Sequence, residues 1–377
     1  MKILQISSVN VKYPGGTEKV VLELSKELSK VHDVTILQTN LYEETTKYKK
    51  RSKIGDVEVI TCKNDYFLGG FGYSKEFKKV LKDIWKDYDL IHVHGHGRFT
   101  TDFTVRFIKR RKPLIYTAHG FFHNSKNGKI KRAYNKLFKT IAKNVSYFTA
   151  LTEVEKIQYL NLGIKENKIK IIPNWINLNT FKIKKNPRLK RKVSGNKKVI
   201  LYVGGVRESK GLQHVCTAIT DLDVLFLIIG RDAGYKKHLQ KQIDSLNITN
   251  KVKFLGALTH KELLDFFSIS DVFVLFSEWE GFGIVLLESM AAQVPVIGSD
   301  RGAIPHIIKH NYTGLISKFK DIEDLKRNIK KMLYDEKLRK KIIENSKKFV
   351  KTFDYRKIIK YYEKLYKDAL HFSKQFS

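Results

Sequence analysis

Glu280 and Glu288 stand eight positions apart in the stretch SEWEGFGIVLLE, on either side of Gly281-Phe282-Gly283. The pattern predicts a helix starting at the glycines, whose N-terminus offers unpaired backbone N–H groups and a partial positive charge able to hold a phosphate without side chains. Two carboxylates would repel that phosphate, so they are expected to serve neutral hydroxyls on either side of it, about 12 Å apart along the axis at 1.5 Å per residue. A carboxylate only accepts hydrogen bonds and therefore suits diols. The ligand so described has a sugar at Glu280, a diphosphate at the helix terminus and a ribose at Glu288, which is a nucleotide sugar. The plainer alternative is a helix with an acidic first turn and one exposed glutamate.

Other residues invite chemistry less strongly. His119 follows the apolar run PLIYTA and precedes Gly120, which predicts a strand end opening onto a cleft; the alternative is a core histidine with its bonds satisfied. His92, His94 and His96 in HVHGHG share one strand face, yet no nearby cysteine or carboxylate cluster completes a metal shell, so no metal site is expected. DLD at 221–223 reads as a turn, and GGFGYSK at 69–75 lacks the third glycine of a dinucleotide fingerprint. Cys62 and Cys216, the only cysteines, exclude a disulfide framework and are expected to be buried thiols.

The elements that must position these residues follow from periodicity. KILQISSV, the helical GGTEKVVLELSKELSKV and HDVTILQT form a βαβ unit, and DLIHVHG and KPLIYTAHG continue the strand pattern. Beyond IIPNWINLNTF, the stretch KIKKNPRLKRKVSGNKK is polar and basic with no apolar period, which predicts a linker. Five further apolar runs follow: VILYVGGV, VLFLIIG, KVKFLGAL, DVFVLFS and VPVIGS. The reading is two α/β domains, each a doubly wound parallel sheet of Rossmann type, facing a central cleft. Residues 1–180 form the first, 181–198 the linker and 199–355 the second, with 356–377 a helix returning to the first.

These motifs resemble the family 4 glycosyltransferases of the GT-B fold. SEWEGFGIVLLESMAAQVPVIGSDRGAIPHII is similar to the family's signature of two glutamates around a seven-residue spacer, YPGGTEKVVLELSKEL to its N-terminal glycine loop, YTAHG to its mid-domain histidine, IIPNWIN to its interdomain segment and YVGGVRESKGL to its basic loop. The resemblance implies that Glu280 contacts the donor sugar, Glu288 the ribose, and the amides of Phe282 and Gly283 the sugar or diphosphate, with Gly281 among the donor-binding residues through its close backbone approach. It places Lys210 on the leaving diphosphate, His119 on the donor sugar or the reaction centre of the transferred group, and the backbone of Gly15 and Gly16 against the phosphate. Cations must then stabilise the leaving-group charge in place of a metal. The family's usual arginine is Gly205 here, and Arg207 is expected to stand in for it; its Asn-Gly turn is Asn174-Trp175-Ile176-Asn177, and a frequent glutamate is His306.

The implied activity is retaining, metal-independent transfer of a sugar from a nucleotide-diphosphate donor to a hydroxyl on a lipid-linked or cell-surface glycan precursor, with no cofactor. The competing readings are a nucleotide-sugar epimerase or hydrolase of the same fold, and a nucleic-acid-binding protein suggested by the net charge of +34. The absence of a stacking or DNA-reading motif argues against nucleic acid. Residues 126–143, KNGKIKRAYNKLFKTIAK, contain no acid and place Ile130, Tyr134, Leu137, Phe138 and Ile141 at helical spacing. They predict a helix docking on an anionic membrane, with ordinary packing on the first domain as the alternative. With no run of about 20 apolar residues and no signal-peptide core, the expected place is the cytoplasm, at the inner face of the membrane. Base preference is expected to lie near Gly256 to Leu258.

Overall fold

The computed structural model describes residues 1–13, 15–41, 49–68, 71–121 and 128–374. The chain divides into two compact units, one comprising Met1–Asn174 with Arg356–Ser377 and the other Trp175–Tyr355.

The first unit holds β1 (Lys2–Ile6), β2 (Asp33–Thr39), β3 (Arg51–Ile54), β4 (Val57–Cys62), β5 (Tyr66–Leu68), β6 (Phe71–Tyr73), β7 (Leu90–His94), β8 (Leu114–Thr117), β9 (Tyr147–Ala150) and β10 (Ile169–Ile171). Its main sheet runs β10-β9-β8-β7-β1-β2-β4-β3, and β5 and β6 form a separate hairpin. Every pair in the main sheet is parallel except β3–β4. All five residues of β7, LIHVH, are buried, as in a strand covered on both faces. Because β1 pairs with β2 on one side and β7 on the other, strand order reverses between β1 and β7. Loops leaving the carboxyl ends of such a pair diverge and open a crevice.

The second unit repeats that logic with β11 (Lys198–Val203), β12 (Val224–Ile229), β13 (Val252–Gly256), β14 (Val272–Leu275), β15 (Val296–Ser299) and β16 (Leu315–Ser317) in the order β13-β12-β11-β14-β15-β16. All pairs are parallel, and the order reverses between β11 and β14. The sheet has one more strand than the five apolar runs suggested, since β16 is only three residues long. Cys62 and Cys216 are free and buried.

Three sequence expectations need correction or sharpening. The stretch expected as linker contains a helix, Pro187–Ser194, started by Asn186, whose side chain accepts from the Leu189 amide, and by Pro187 in the first turn. It shows no apolar period because lysines fasten the segment: Lys190 Nζ bonds both oxygens of Asp271 at 2.6 and 2.7 Å, and Lys185 Nζ donates to the Ser270 carbonyl at 2.9 Å. Ile176, in the segment before it, pairs with Asp354 in an isolated bridge.

The basic amphipathic stretch forms the helix Gly128–Ala142, but its apolar stripe is not offered outward. Phe138, Ile141 and Ala142 belong to the first unit's buried core and Tyr134 packs against it, because these side chains gain more by covering β8 and β9 aromatics such as Tyr116 and Phe148. Leu137 of that stripe is exposed. Residues 126 and 127 lie outside the described residues.

From Tyr355 to Lys374 runs the last helix, which buries Tyr362 and Tyr366. Its Tyr366 hydroxyl reaches Gln5 on β1 and His92 on β7.

Candidate active site

In the second unit the loop after β14 carries the two glutamates. The helix begins only at Ile284, so Glu280 lies in the preceding loop, and the helical rise separates Ile284 from Glu288 by about 6 Å. The expected uniform 12 Å spacing therefore does not apply. Gly283 caps the helix with φ 81°, a left-handed conformation that favours glycine. Phe282 is buried, its ring packed edge-on against that of Phe353. Glu288 is 3% exposed, and its helix is buried nearly all round through Leu286, Leu287, Ser289 and Met290.

Glu280 is held from several sides. Lys210 Nζ bonds its Oε1, Ser277 Oγ donates to the same oxygen at 3.3 Å, and the Ala303 amide donates to the Glu280 carbonyl at 3.0 Å. Gly302 permits this approach: a Cβ there would stand 2.6 Å from the Glu280 carbonyl oxygen. Lys210 ends a short helical turn, Glu208–Lys210, whose following Gly211 has φ 68° and would set a Cβ 2.0 Å from the Phe276 carbonyl oxygen. The basic loop and the glutamate loop are thus packed backbone against backbone. An ammonium has three donors, so Lys210 can keep Glu280 and still reach an anion.

Arg207 is exposed, and its Nε lies 3.9 Å from where a Cβ at Gly205 would stand. Its guanidinium therefore lies close to the point from which a side chain at 205 would start. His306 sits exposed on the short helix Ile304–Ile307. Gly256, with φ 70° and exposed, ends β13.

In the first unit a cavity of about 100 Å³ opens at the reversal between β1 and β7, lined by Ser7, Ser8, Thr17, Glu18, Arg98 and His119 among others. Gly15 caps the helix Gly16–Leu28 in an extended conformation with no side-chain cap. Glu18 takes that place, its carboxyl folded so closely over Gly15 that a Cβ there would stand 1.9 Å from Oε2. Burial raises the Glu18 carboxyl above its usual range, partly offset by a bond to its own backbone and by Arg98.

His119 adopts φ 54°, followed by Gly120 at 103°. A left-handed non-glycine residue persists only where neighbours fix it. They do so here: Tyr159 OH accepts from the Ala118 amide at 3.0 Å, and the buried Glu155 accepts from the amides of Gly120 at 2.9 Å and Leu151 at 2.6 Å. Burial pushes the Glu155 carboxyl up to about 7 and the His119 ring down to about 3. The metal reading of HVHGHG gives way to hydrogen bonds: His92 meets Tyr366 and Thr117, His94 meets Gln5 and His119, and His96 meets Tyr116. Among the described residues no three His, Cys, Asp or Glu side chains converge as a metal site.

The structure therefore joins Lys210 to Glu280 in one unit, and His119 to the cavity beside the glycine loop in the other. Sequence reasoning missed Ser277, Gly302, Gly211, Glu155 and Tyr159. Glu155 carried a faint signal, lying three residues after the capping Thr152, but that pattern announces a helix start rather than a brace for His119.

Residues 14–180 match the family model described as Glycosyltransferase Family 4, and residues 184–349 the one described as Glycosyl transferases group 1. The N-acetyl-alpha-D-glucosaminyl L-malate synthase of Bacillus anthracis is 31% identical over 375 residues, covering 95% of this chain and 96% of that one. The N,N'-diacetylbacillosaminyl-diphospho-undecaprenol alpha-1,3-N-acetylgalactosaminyltransferase of Campylobacter jejuni is 30% identical over 323 residues, 81% of each chain. Among solved structures, sucrose-phosphate synthase from Thermosynechococcus elongatus superposes with a TM-score of 0.84 at 18% identity, covering 98% of both chains. Anabaena HepE in complex with UDP-glucose gives 0.79 at 19%, covering 98% of this chain and 100% of that one. Two parallel-sheet α/β units, both family models and relatives matched over most of their length lead to one assignment: the chain belongs to the family 4 glycosyltransferases of the GT-B fold, and it is a glycosyltransferase.

Proposed function

We propose that this enzyme moves a sugar, with retention and without a metal ion, from a nucleotide-diphosphate donor to a hydroxyl on a lipid-linked or cell-surface glycan precursor. The observation that carries the donor reading is the second unit's loop, where Lys210 and Ser277 hold Glu280 ahead of a helix N-terminus that buries Glu288 in its second turn. Glu280 accepts from sugar hydroxyls and Glu288 from the ribose, while the amides of Gly281, Phe282 and Gly283 meet the diphosphate. Lys210 and Arg207 neutralise the charge that develops on the leaving group, the role a metal would otherwise fill. Gly15 and Gly16 offer backbone amides to phosphate, and His119 meets a substrate hydroxyl.

Nucleotide-sugar use is supported by HepE, described in complex with UDP-glucose, and the lipid-linked acceptor by the Campylobacter relative, whose name specifies a diphospho-undecaprenol carrier. Retention follows the family resemblance: the leaving diphosphate takes the acceptor's proton on the face from which the acceptor attacks. Membrane association, if electrostatic, draws on exposed Lys136 and Lys139, since the apolar stripe beside them is core. No helix among the described residues is long and apolar enough to cross a membrane.

The test is a turnover assay with a panel of nucleotide sugars and undecaprenyl-diphosphate-linked acceptors in EDTA, with the product anomer read by NMR. Transfer with the donor's anomeric configuration kept is expected. Loss of activity in EDTA restored by Mn²⁺, or an inverted product, contradicts the mechanism. Donor consumption without any acceptor favours an epimerase or hydrolase instead. For the membrane, the Lys129→Glu, Lys131→Glu, Arg132→Glu and Lys136→Glu variant should no longer co-sediment with phosphatidylserine vesicles, and equal sedimentation removes that part of the proposal.

A further inference from the structure

A continuous line of hydrogen bonds runs from the C-terminal helix to the first unit's cavity. Tyr366 OH lies 2.6 Å from His92 Nδ1 and 3.2 Å from Gln5 Nε2; Gln5 Oε1 lies 2.7 Å from His94 Nε2; His94 Nδ1 lies 2.9 Å from His119 Nε2. Beyond His92, its Nε2 lies 2.7 Å from Thr117 Oγ1, which contacts Thr149 Oγ1. Gln5, His92, His94, Thr117 and Tyr366 are buried, so water does not break the chain, while His119 is half-buried and lines the cavity.

Proton placement along such a line is coupled. An amide oxygen only accepts, so with the Gln5 nitrogen on Tyr366 the proton between Gln5 and His94 belongs to His94 Nε2. A neutral ring carries one N–H, which makes His94 Nδ1 the acceptor and His119 Nε2 the donor. Neutrality is favoured because burial holds His92, His94 and His119 well below the usual histidine range, and each of the first two rings is further lowered by neighbouring histidines. The His92 and His94 rings also lie 4.0 Å apart between centroids, tilted by 37°, so a proton added to one places charge beside the other. Among the described residues no hydrogen bond reaches His119 Nδ1.

We infer that Gln5 and His94 are positioning residues that lock His119 as its Nε2–H tautomer, so that its Nδ1 lone pair is presented to the cavity as the acceptor for a substrate hydroxyl. The inference deepens the proposed role of His119 and rests on it. It specifies the ligand chemistry: a neutral O–H donor, and not an oxyanion or carbonyl, which would need an N–H from the protein. It also gives Tyr366 a purpose beyond packing, since its hydroxyl joins the Gln5 amide to His92 and completes the bonds of both. The line is self-consistent in one other sense only, with the Gln5 amide turned over and every proton reversed; that sense puts N–H on Nδ1.

The experiment is two-bond ¹H–¹⁵N correlation NMR of the full chain labelled with ¹⁵N-histidine, with His119 assigned by the signals lost in His119→Gln. The ligand-free enzyme is expected to show His119 as the Nε2–H tautomer near neutral pH, and Gln5→Met, which removes both amide groups at similar volume, is expected to give a mixture of tautomers. An Nδ1–H tautomer in the parent enzyme, or a pure Nε2–H form surviving in folded Gln5→Met, overturns the inference. Should Gln5→Met fail to fold, the parent spectrum still decides. Turnover separates the two layers: unchanged kcat and KM in His119→Gln removes the proposed role of His119, whatever tautomer the spectrum reports.

Discussion

The two units place their site residues at the same topological point, the carboxyl ends of a strand pair where sheet order reverses, yet build them from opposite materials. The second unit's loops are pinned through backbone: Gly211 and Gly302 sit where any Cβ would meet a carbonyl oxygen at 2.0 or 2.6 Å, and an ion pair fixes Glu280. In the first unit's glycine loop an added Cβ would meet the flexible end of Glu18 at Gly15 and nothing within 4 Å at Gly16, while beside it stands a network of neutral histidines. A rigid charged loop suits a diphosphate, whose charge is the same in every donor. A network of neutral histidines at the cavity wall suits hydroxyl groups, which hydrogen-bond without carrying charge.

The largest effect that contrast predicts is on stability. Gly211→Ala forces a side chain onto a backbone oxygen at positive φ and is expected to destabilise the second unit by about 3 kcal/mol or more, measured by denaturant unfolding. A loss below about 1 kcal/mol means the loops are less tightly packed than described.

Acid should separate the units next. Each histidine held neutral by burial binds fewer protons folded than unfolded, so its stabilisation is present above its ordinary pKa of about 6.5 and is lost as pH falls below that, by about 1.4 kcal/mol per pH unit. His92, His94, His96 and His119 all lie in the first unit and are all lowered. Asp102 and Glu155, raised to about 7, act oppositely: their contribution is present at low pH and lost as pH rises through 7. With His32 also lowered and Glu18 also raised in the first unit, five lowered histidines stand against three raised carboxyls there among the described residues, while the second unit has the lowered His214, and the carboxyls' gain is complete once pH nears their unfolded values of about 4. Hydrogen exchange at pH 5 and below is therefore expected to deprotect β1, β7 and β8 before β11 and β14, and the reverse order breaks the comparison.

A smaller, kinetic effect tests the charged loop. Lys210→Ala is expected to lower turnover about tenfold or more, or about 1.4 kcal/mol, with the loss unaffected by EDTA. Unchanged turnover removes Lys210 from leaving-group stabilisation. Smallest is Gly16→Ala, expected to change stability by no more than about 0.5 kcal/mol because the added methyl meets open space. A stability-neutral Gly16→Ala that nonetheless raises donor KM sharpens the proposal that this backbone approaches phosphate.

What the sequence disclosed follows the same division. The loop and helix start around Glu280, Glu288 and the intervening glycines were readable because they are contiguous in sequence, and the parallel sheets were readable from their apolar runs. Where residues distant in sequence meet, it was silent: nothing in HVHGHG announces that Gln5 and Tyr366 complete its bonds, with 361 positions between them. The Pro187–Ser194 helix escaped because lysines anchor it by hydrogen bonds, which leave no hydrophobic period. The Gly128–Ala142 helix was legible as amphipathic but its partner was not, as an apolar stripe looks alike whether it faces lipid or a protein core.

The central claim is that the second unit carries the recognition of the donor's nucleotide diphosphate while His119 reads a hydroxyl. Calorimetric binding of UDP, ADP and GDP to the full chain tests it most directly. For whichever nucleotide binds, Glu288→Ala is expected to weaken affinity by about 1.5 to 3 kcal/mol, the worth of a hydrogen bond to a charged group, and His119→Gln to leave it unchanged. Equal affinity in Glu288→Ala, or an equal loss in His119→Gln, contradicts the account.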